Sequence, residues 1–199
     1  MNKYLVVVAS TLALTSPLTH AQSAFLGTSA AVNLQFGNAA VDATSAAGLG
    51  LGKNSDAAQN LTLQIARGLP FGNGAVASFG ATASVGDLKS GLVGAQQFKQ
   101  TAGYSAYGEL GLPLTADSLV YGKLSLNRMF GNLSGAGGPD ASLAFNGRGY
   151  GGGYRYLLRN GLFVQGEAMV TDFGEVSTDA GIKLKPSATT FALGVGYKF

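Results

Sequence analysis

Four ionisable side chains, Glu109, Lys123, Arg155 and Glu167, fall on the polar parity of four successive stretches in which alternate residues are apolar. Two acids and two bases sum to zero charge. Counting across the short turns between the stretches sets Glu109 opposite Lys123 and Arg155 close to Glu167, so the pattern predicts two cross-strand pairs of opposite sign. Inside a narrow closed sheet such groups need partners, because an unpaired buried charge costs about 3–5 kcal/mol. Arg suits this task through bidentate pairing with a carboxylate. Two kinds of chemistry follow: a plug that neutralises the interior and fixes strand register, or a gate whose pairs exchange partners and admit ions. The plug is the reading adopted. The small residues Gly149, Gly151 and Gly153 share the inward parity and are expected to make room for long side chains from across the interior.

Other chemistry is poorly supplied. The chain has no Cys, and its one His is His20, inside an apolar leader, so the remainder lacks an imidazole base and a thiolate nucleophile. No spacing singles out a Ser or Thr with a Lys or Asp partner. The string Gly48-Leu-Gly-Leu-Gly-Lys53 lacks the spacing of a phosphate loop and reads as a loop. The string Gly147-Arg-Gly-Tyr-Gly-Gly-Gly-Tyr-Arg155 alternates strictly and leads into a hairpin, which fits a strand rather than an RNA-binding segment. The net charge of +3 is scattered along the chain and points to no nucleic-acid partner. The expectation is a protein without enzymatic activity, cofactor or metal.

The elements that position these residues are strands. Only 12% of residues are charged, which is low for a soluble surface, while 31 glycines and the absence of long Glu, Lys and Ala runs argue against helices. Met1 to Lys3 is a short positive segment, Tyr4 to Leu14 an apolar run, and Thr19-His20-Ala21 sets small residues where a signal peptidase cuts. Residues 1–21 therefore read as a signal peptide and 22–199 as one domain. No later segment approaches the roughly 18 apolar residues of a spanning helix.

Alternation predicts eight strands: Phe25 to Phe36, Ala58 to Leu69, Ala75 to Asp87, Thr101 to Leu112, Leu119 to Arg128, Gly147 to Leu158, Leu162 to Asp172 and Thr189 to Phe199. Short turns at Pro70 to Gly74, Pro113 to Ser118 and Arg159 to Gly161 alternate with four long loops: Gly37 to Ala57, Leu88 to Gln100, Met129 to Asn146 and Phe173 to Ser187. Asn160-Gly161 is the strongest hairpin signal. Short turns on one side, long loops on the other and an even strand count describe an all-β, eight-stranded antiparallel up-and-down transmembrane β-barrel. Closure pairs every backbone group, which hydrocarbon demands. The rival is a soluble β-sandwich with an aromatic core. Tyr104, Tyr150, Tyr154, Tyr156, Tyr197 and Phe199 lie on the apolar parity near strand ends, where an interfacial girdle would place them.

The hairpin Gly149-Tyr-Gly-Gly-Gly-Tyr-Arg-Tyr-Leu-Leu-Arg-Asn-Gly-Leu-Phe-Val-Gln-Gly-Glu-Ala168 resembles the penultimate hairpin of small outer-membrane barrels related to OmpA and the opacity proteins. The ending Gly194-x-x-Tyr197-x-Phe199 resembles the signal by which the barrel-assembly machinery recognises its substrates, which makes that machinery an expected partner. The resemblance implies the cell outer membrane, reached by a cleavable signal peptide, and lipid and lipopolysaccharide as neighbours. Related lumens carry inward ion pairs, which the resemblance extends to the four charges above. No peptidoglycan-binding domain of OmpA type is expected after Phe199. Arg128 and Arg148, on the lipid-facing parity at the outer ends of their strands, are candidate contacts for lipopolysaccharide phosphates, with interfacial snorkelling as the plainer reading. The function expected is envelope integrity or surface interaction through the outer loops, with an unknown extracellular ligand; the alternative is a narrow porin-like channel for ions or small solutes.

Overall fold

The computed structural model describes residues 21–199, except residues 46–47, 49, 86–87, 94–95, 135–140 and 179–180. The expected signal peptide therefore lies, but for Ala21, outside the described residues. Ten strands follow in order: β1 Gly27–Thr44, β2 Gly50–Phe71, β3 Ala75–Val85, β4 Leu88–Val93, β5 Gln96–Thr115, β6 Ser118–Ser134, β7 Ala141–Leu157, β8 Leu162–Phe173, β9 Val176–Ser177 and β10 Lys183–Lys198. The short β4 carries on the line of β3 along β5, and β9 carries on the line of β8 along β10. The ten strands thus form eight staves, each antiparallel to its neighbours.

The sheet closes because β10 pairs back onto β1 from Ser29↔Lys198 to Thr44↔Lys183. Closure leaves no open edge around the barrel body and satisfies the ladder within the wall. The side-chain period of two then decides which face is which. Val32, Leu34, Ile65, Leu110, Leu124, Leu126 and Val195 point outward and are exposed, whereas Asn33, Gln64, Glu109, Lys123, Arg155 and Gln165 point inward and are buried. A water-soluble sandwich would show the reverse. Among the described residues no helix is long and apolar enough to cross a membrane, and the strands make the crossing.

The turns follow their residue chemistry. Asn160 and Gly161 both have positive φ, 64° and 79°, the pair of left-handed residues that a two-residue hairpin turn requires. At the same end, residues 22–26 fold under the barrel. Gln22 Nε2 donates to Ala75 O at 2.6 Å, Lys198 Nζ donates to Ala24 O at 2.7 Å, and Phe25 packs with Val76, Leu119 and Tyr121 in a small apolar cluster.

The long connections differ from expectation. Gly37 to Ala57 is mostly strand, since β1 runs to Thr44 and β2 begins at Gly50, still in register as Val41↔Asn54 and Asp42↔Lys53. Likewise β5 starts at Gln96, β6 reaches Ser134, β7 starts at Ala141 and β10 starts at Lys183. Each added rung of an existing hairpin makes backbone hydrogen bonds without a fresh loop-closure cost, so the ladders continue beyond the hydrocarbon. Their inward residues meet in a second apolar cluster of Val41, Ala43, Met129, Phe145, Phe173 and Leu184. By the rule that short turns face the periplasm, this cluster lies in the extracellular half.

Candidate functional site

The four inward charges come from four consecutive staves: Glu109 from β5, Lys123 from β6, Arg155 from β7 and Glu167 from β8. The structure brings all four together. Lys123 Nζ lies 2.8 Å from Glu167 Oε2 and 3.6 Å from Glu109 Oε1, and Arg155 Nη2 lies 3.4 Å from Glu109 Oε2. The side chains of Lys123 and Glu109 are 4% and 1% exposed, so these contacts are shielded from water and salt.

The pairing differs from a count of register. Glu109 does stand opposite Lys123. Arg155, expected beside Glu167, stands opposite Gln165 and donates to it from Nε at 3.1 Å, while its guanidinium reaches Glu109 two staves away. Lys123 also reaches past its neighbour β7 to Glu167 on β8. The interior radius of a small barrel lets long side chains on next-nearest staves converge, provided that the stave between them is small or flat at that level. On β7 that requirement is met by Gly153, where a Cβ would fall 2.5 Å from Tyr121 Oη, and Tyr121 in turn donates to Glu167 Oε2 at 3.2 Å. The inward glycines of β7 therefore accommodate side chains of the adjacent staves, Tyr121 over Gly153 and Met169 over Gly151, rather than side chains from across the lumen.

Uncharged partners extend the cluster into a belt, which a search for charges alone passes over. Gln165 Nε2 donates to Asn33 Oδ1 at 2.7 Å and to Gln64 Oε1 at 2.8 Å, and Gln64 Nε2 donates to Tyr107 Oη on β5. The hydrogen bonds thus run from Glu109 through Arg155, Gln165, Asn33 and Gln64 to Tyr107, round the lumen and back to the stave they left. Two more glycines open the way: a Cβ at Gly194 would strike Asn33, and one at Gly80 would strike Tyr107. Aromatic faces cover the cations. Lys123 Nζ lies 3.9 Å from the Tyr107 ring centre, and the Arg155 guanidinium lies 5.1 Å from the ring centres of both Tyr121 and Phe163. The signal for these residues was their inward parity and their polarity at the level of the charges.

The other predicted positions lie apart from this belt. Arg128 and Arg148 are exposed on the outer wall, Arg128 opposite Tyr104 and Asn146, and Arg148 opposite Leu126 and Asp172. The Arg128 guanidinium sits 5.6 Å from the Phe130 ring centre. Gly194 faces inward, whereas Tyr197 and Phe199 face outward with ring centres 5.2 Å apart in an edge-on arrangement. Among the described residues no group of His, Cys, Asp and Glu is placed to hold a metal.

Residues 6–199 match the outer membrane protein beta-barrel domain. The chain belongs to this family. Its place is the outer membrane, and its outward apolar staves are transmembrane strands. No curated protein matches it in sequence. Among solved structures, it is similar to Ail, the attachment invasion locus protein of Yersinia pestis (16% identity, covering 87% of this chain and 99% of that one, TM-score 0.47). It is also similar to the neisserial surface protein A (18% identity, 85% and 99% covered, TM-score 0.45). The outer membrane protease OmpT of Escherichia coli aligns over 86% of this chain and 96% of its own, at 8% identity and a TM-score of 0.51. At these identities the likeness is one of fold.

Proposed function

We propose that this protein is a non-enzymatic outer-membrane barrel that supports envelope integrity or surface interaction through its extracellular hairpins. The observation that carries this reading is the belt. Two carboxylates and two cations, mutually paired and all buried but for the part-buried Glu167, are tied across the lumen by Gln165, Asn33 and Gln64. A wall of paired groups at that level opposes free passage, since opening it would strip each charge of its partner. Function then falls to the surfaces. The extracellular hairpins are held by their own apolar cluster around Phe145, which suits them to present a defined shape.

Two contacts belong to the same reading. Arg128 and Arg148, exposed beside Tyr104 and Tyr150 on the outer wall, carry the fork geometry that pairs with lipopolysaccharide phosphates. Gly194, Tyr197 and Phe199 serve the barrel-assembly machinery during insertion. Alanine at both arginines is expected to weaken lipopolysaccharide binding; unchanged binding removes that contact.

A narrow channel is the second reading, favoured by Lys123 sitting between two carboxylates as though able to choose. A gene deletion separates the two by sign. Loss of an integrity protein raises entry of bulky hydrophobic dyes, while loss of a channel lowers entry of small hydrophilic solutes. The proposal expects the first, and the second alone would overturn it.

A further inference from the structure

Gly27 opens β1 at φ 99°, a left-handed backbone that turns the residues before it out of line with the strand and under the barrel. Residues 22–26 then cross the periplasmic mouth. The staves follow one another as β1, β2, β3, β5, β6, so β6 stands four places from β1 in a ring of eight and faces it across the lumen. Phe25, 7% exposed, packs in one cluster with Leu119 and Tyr121 of β6 and with Val76 of β3. Gly68 on β2 leaves room for this path, because a Cβ there would strike Phe25 O. The segment is also tied on both sides of the mouth. Gln22 Nε2 donates to Ala75 O, at the start of β3, at 2.6 Å, while Lys198 Nζ donates to Ala24 O at 2.7 Å and to Ser23 O at 3.4 Å. Lys198 belongs to β10 and stands opposite Ser29 of β1, so its ammonium is in place only once the seam of the barrel has closed.

We propose that residues 22–26 are a hinged strap that closes the periplasmic mouth of the lumen, a second barrier beneath the charge cluster, with Gly27 as its hinge and Lys198 as its latch. The two barriers meet at one ring. Tyr121 packs with Phe25 in the apolar cluster and donates from its hydroxyl to Glu167 in the charge cluster. They are held separately, since the polar contacts of the strap go to Ala75 and Lys198 and those of the belt to inward side chains of the wall. One aromatic anchor and a few side-chain hydrogen bonds hold the strap, whereas each stave is held by two full ladders. The strap can therefore open while the wall stays folded.

Because the chain has no Cys, a single introduced thiol reports on the mouth. Val76→Cys places one beneath the strap, where Val76 is 1% exposed, and Ser125→Cys places one on the extracellular side of the charge cluster. Each protein, purified from outer membranes into phospholipid nanodiscs that leave both mouths open to solvent, is timed in its reaction with a bulky maleimide. The thiol of Val76→Cys should react slowly. Adding Lys198→Gln, which lies on another stave and removes the ammonium latch, should speed that reaction about tenfold, the share of one charge-assisted hydrogen bond. Adding Phe25→Ala should speed it at least as much, and neither change should alter the rate of Ser125→Cys. A Val76→Cys thiol that reacts at one rate with and without the latch and the anchor overturns the proposal. So does an equal acceleration at Ser125→Cys, which would mean that the barrel loosens as a whole.

Discussion

Lys123 Nζ lies closer to Glu167, two staves away, than to Glu109, which stands directly opposite it: 2.8 Å against 3.6 Å. One cation thus serves two carboxylates, Glu109 buried and Glu167 part-buried, and its removal takes a charge partner from both. Lys123→Met is expected to destabilise the refolded barrel by about 3–5 kcal/mol. A double-mutant cycle should assign a larger coupling to Lys123 with Glu167 than to Lys123 with Glu109. Because the chain contains no Trp, unfolding in urea is followed by gel mobility or circular dichroism. Equal couplings would mean that the shorter contact has no energetic priority.

Gly194 leaves the space in which Gln165 reaches Asn33, and the three nearest atoms that a Cβ there would meet belong to those two side chains. Gly194→Ala should therefore cost about 1–3 kcal/mol through overpacking. In an Asn33→Ala background, which vacates the space, the same change should cost less than half as much. Equilibrium unfolding of refolded protein keeps this effect separate from any effect on assembly in cells. An equal cost in both backgrounds would place the strain in the backbone instead.

The parity of the staves was legible because one face meets lipid and the other does not, so Val32, Leu34 and Ile65 alternate visibly with Asn33, Gln35 and Gln64. The charge cluster was legible for the same reason, since Glu109, Lys123, Arg155 and Glu167 stand on an inward parity whose other residues are mostly uncharged. Which pairs form was not. Register names adjacent neighbours, and only the curvature of the barrel shows Arg155 reaching over β6 to Glu109. The extracellular ladders were also hidden. Beyond the hydrocarbon both faces of a hairpin meet water or each other, so Gly37 to Thr44 lost its alternation while keeping its hydrogen bonds.

Asn160-Gly161 offers a test at the turn. Gly161 has φ 79°, and a Cβ there would fall 2.8 Å from Lys198 O. Gly161→Val should cost about 1–3 kcal/mol, as expected for a branched residue held in left-handed backbone. Asn160→Gly should be close to neutral, because glycine adopts that conformation freely. A neutral Gly161→Val, read by the same urea titration, would contradict the turn geometry.

Phe145 has no exposed surface and sits at the centre of the extracellular cluster. Phe145→Ala should cost that half about 3–5 kcal/mol by cavity formation. The expected outcome is local: faster protease cleavage in the extracellular hairpins, with the heat-modifiable gel shift of the membrane-embedded barrel retained. Loss of the gel shift together with faster cleavage would show that the two halves unfold as one unit.

The central claim is that the paired belt closes the lumen. Planar-bilayer recording of the refolded protein, alone and with Glu109→Gln and Arg155→Gln, tests it most directly. The account predicts no steady conductance from the unaltered chain. A steady conductance that changes when Glu109 or Arg155 is neutralised would contradict it, and would make the cluster a gate.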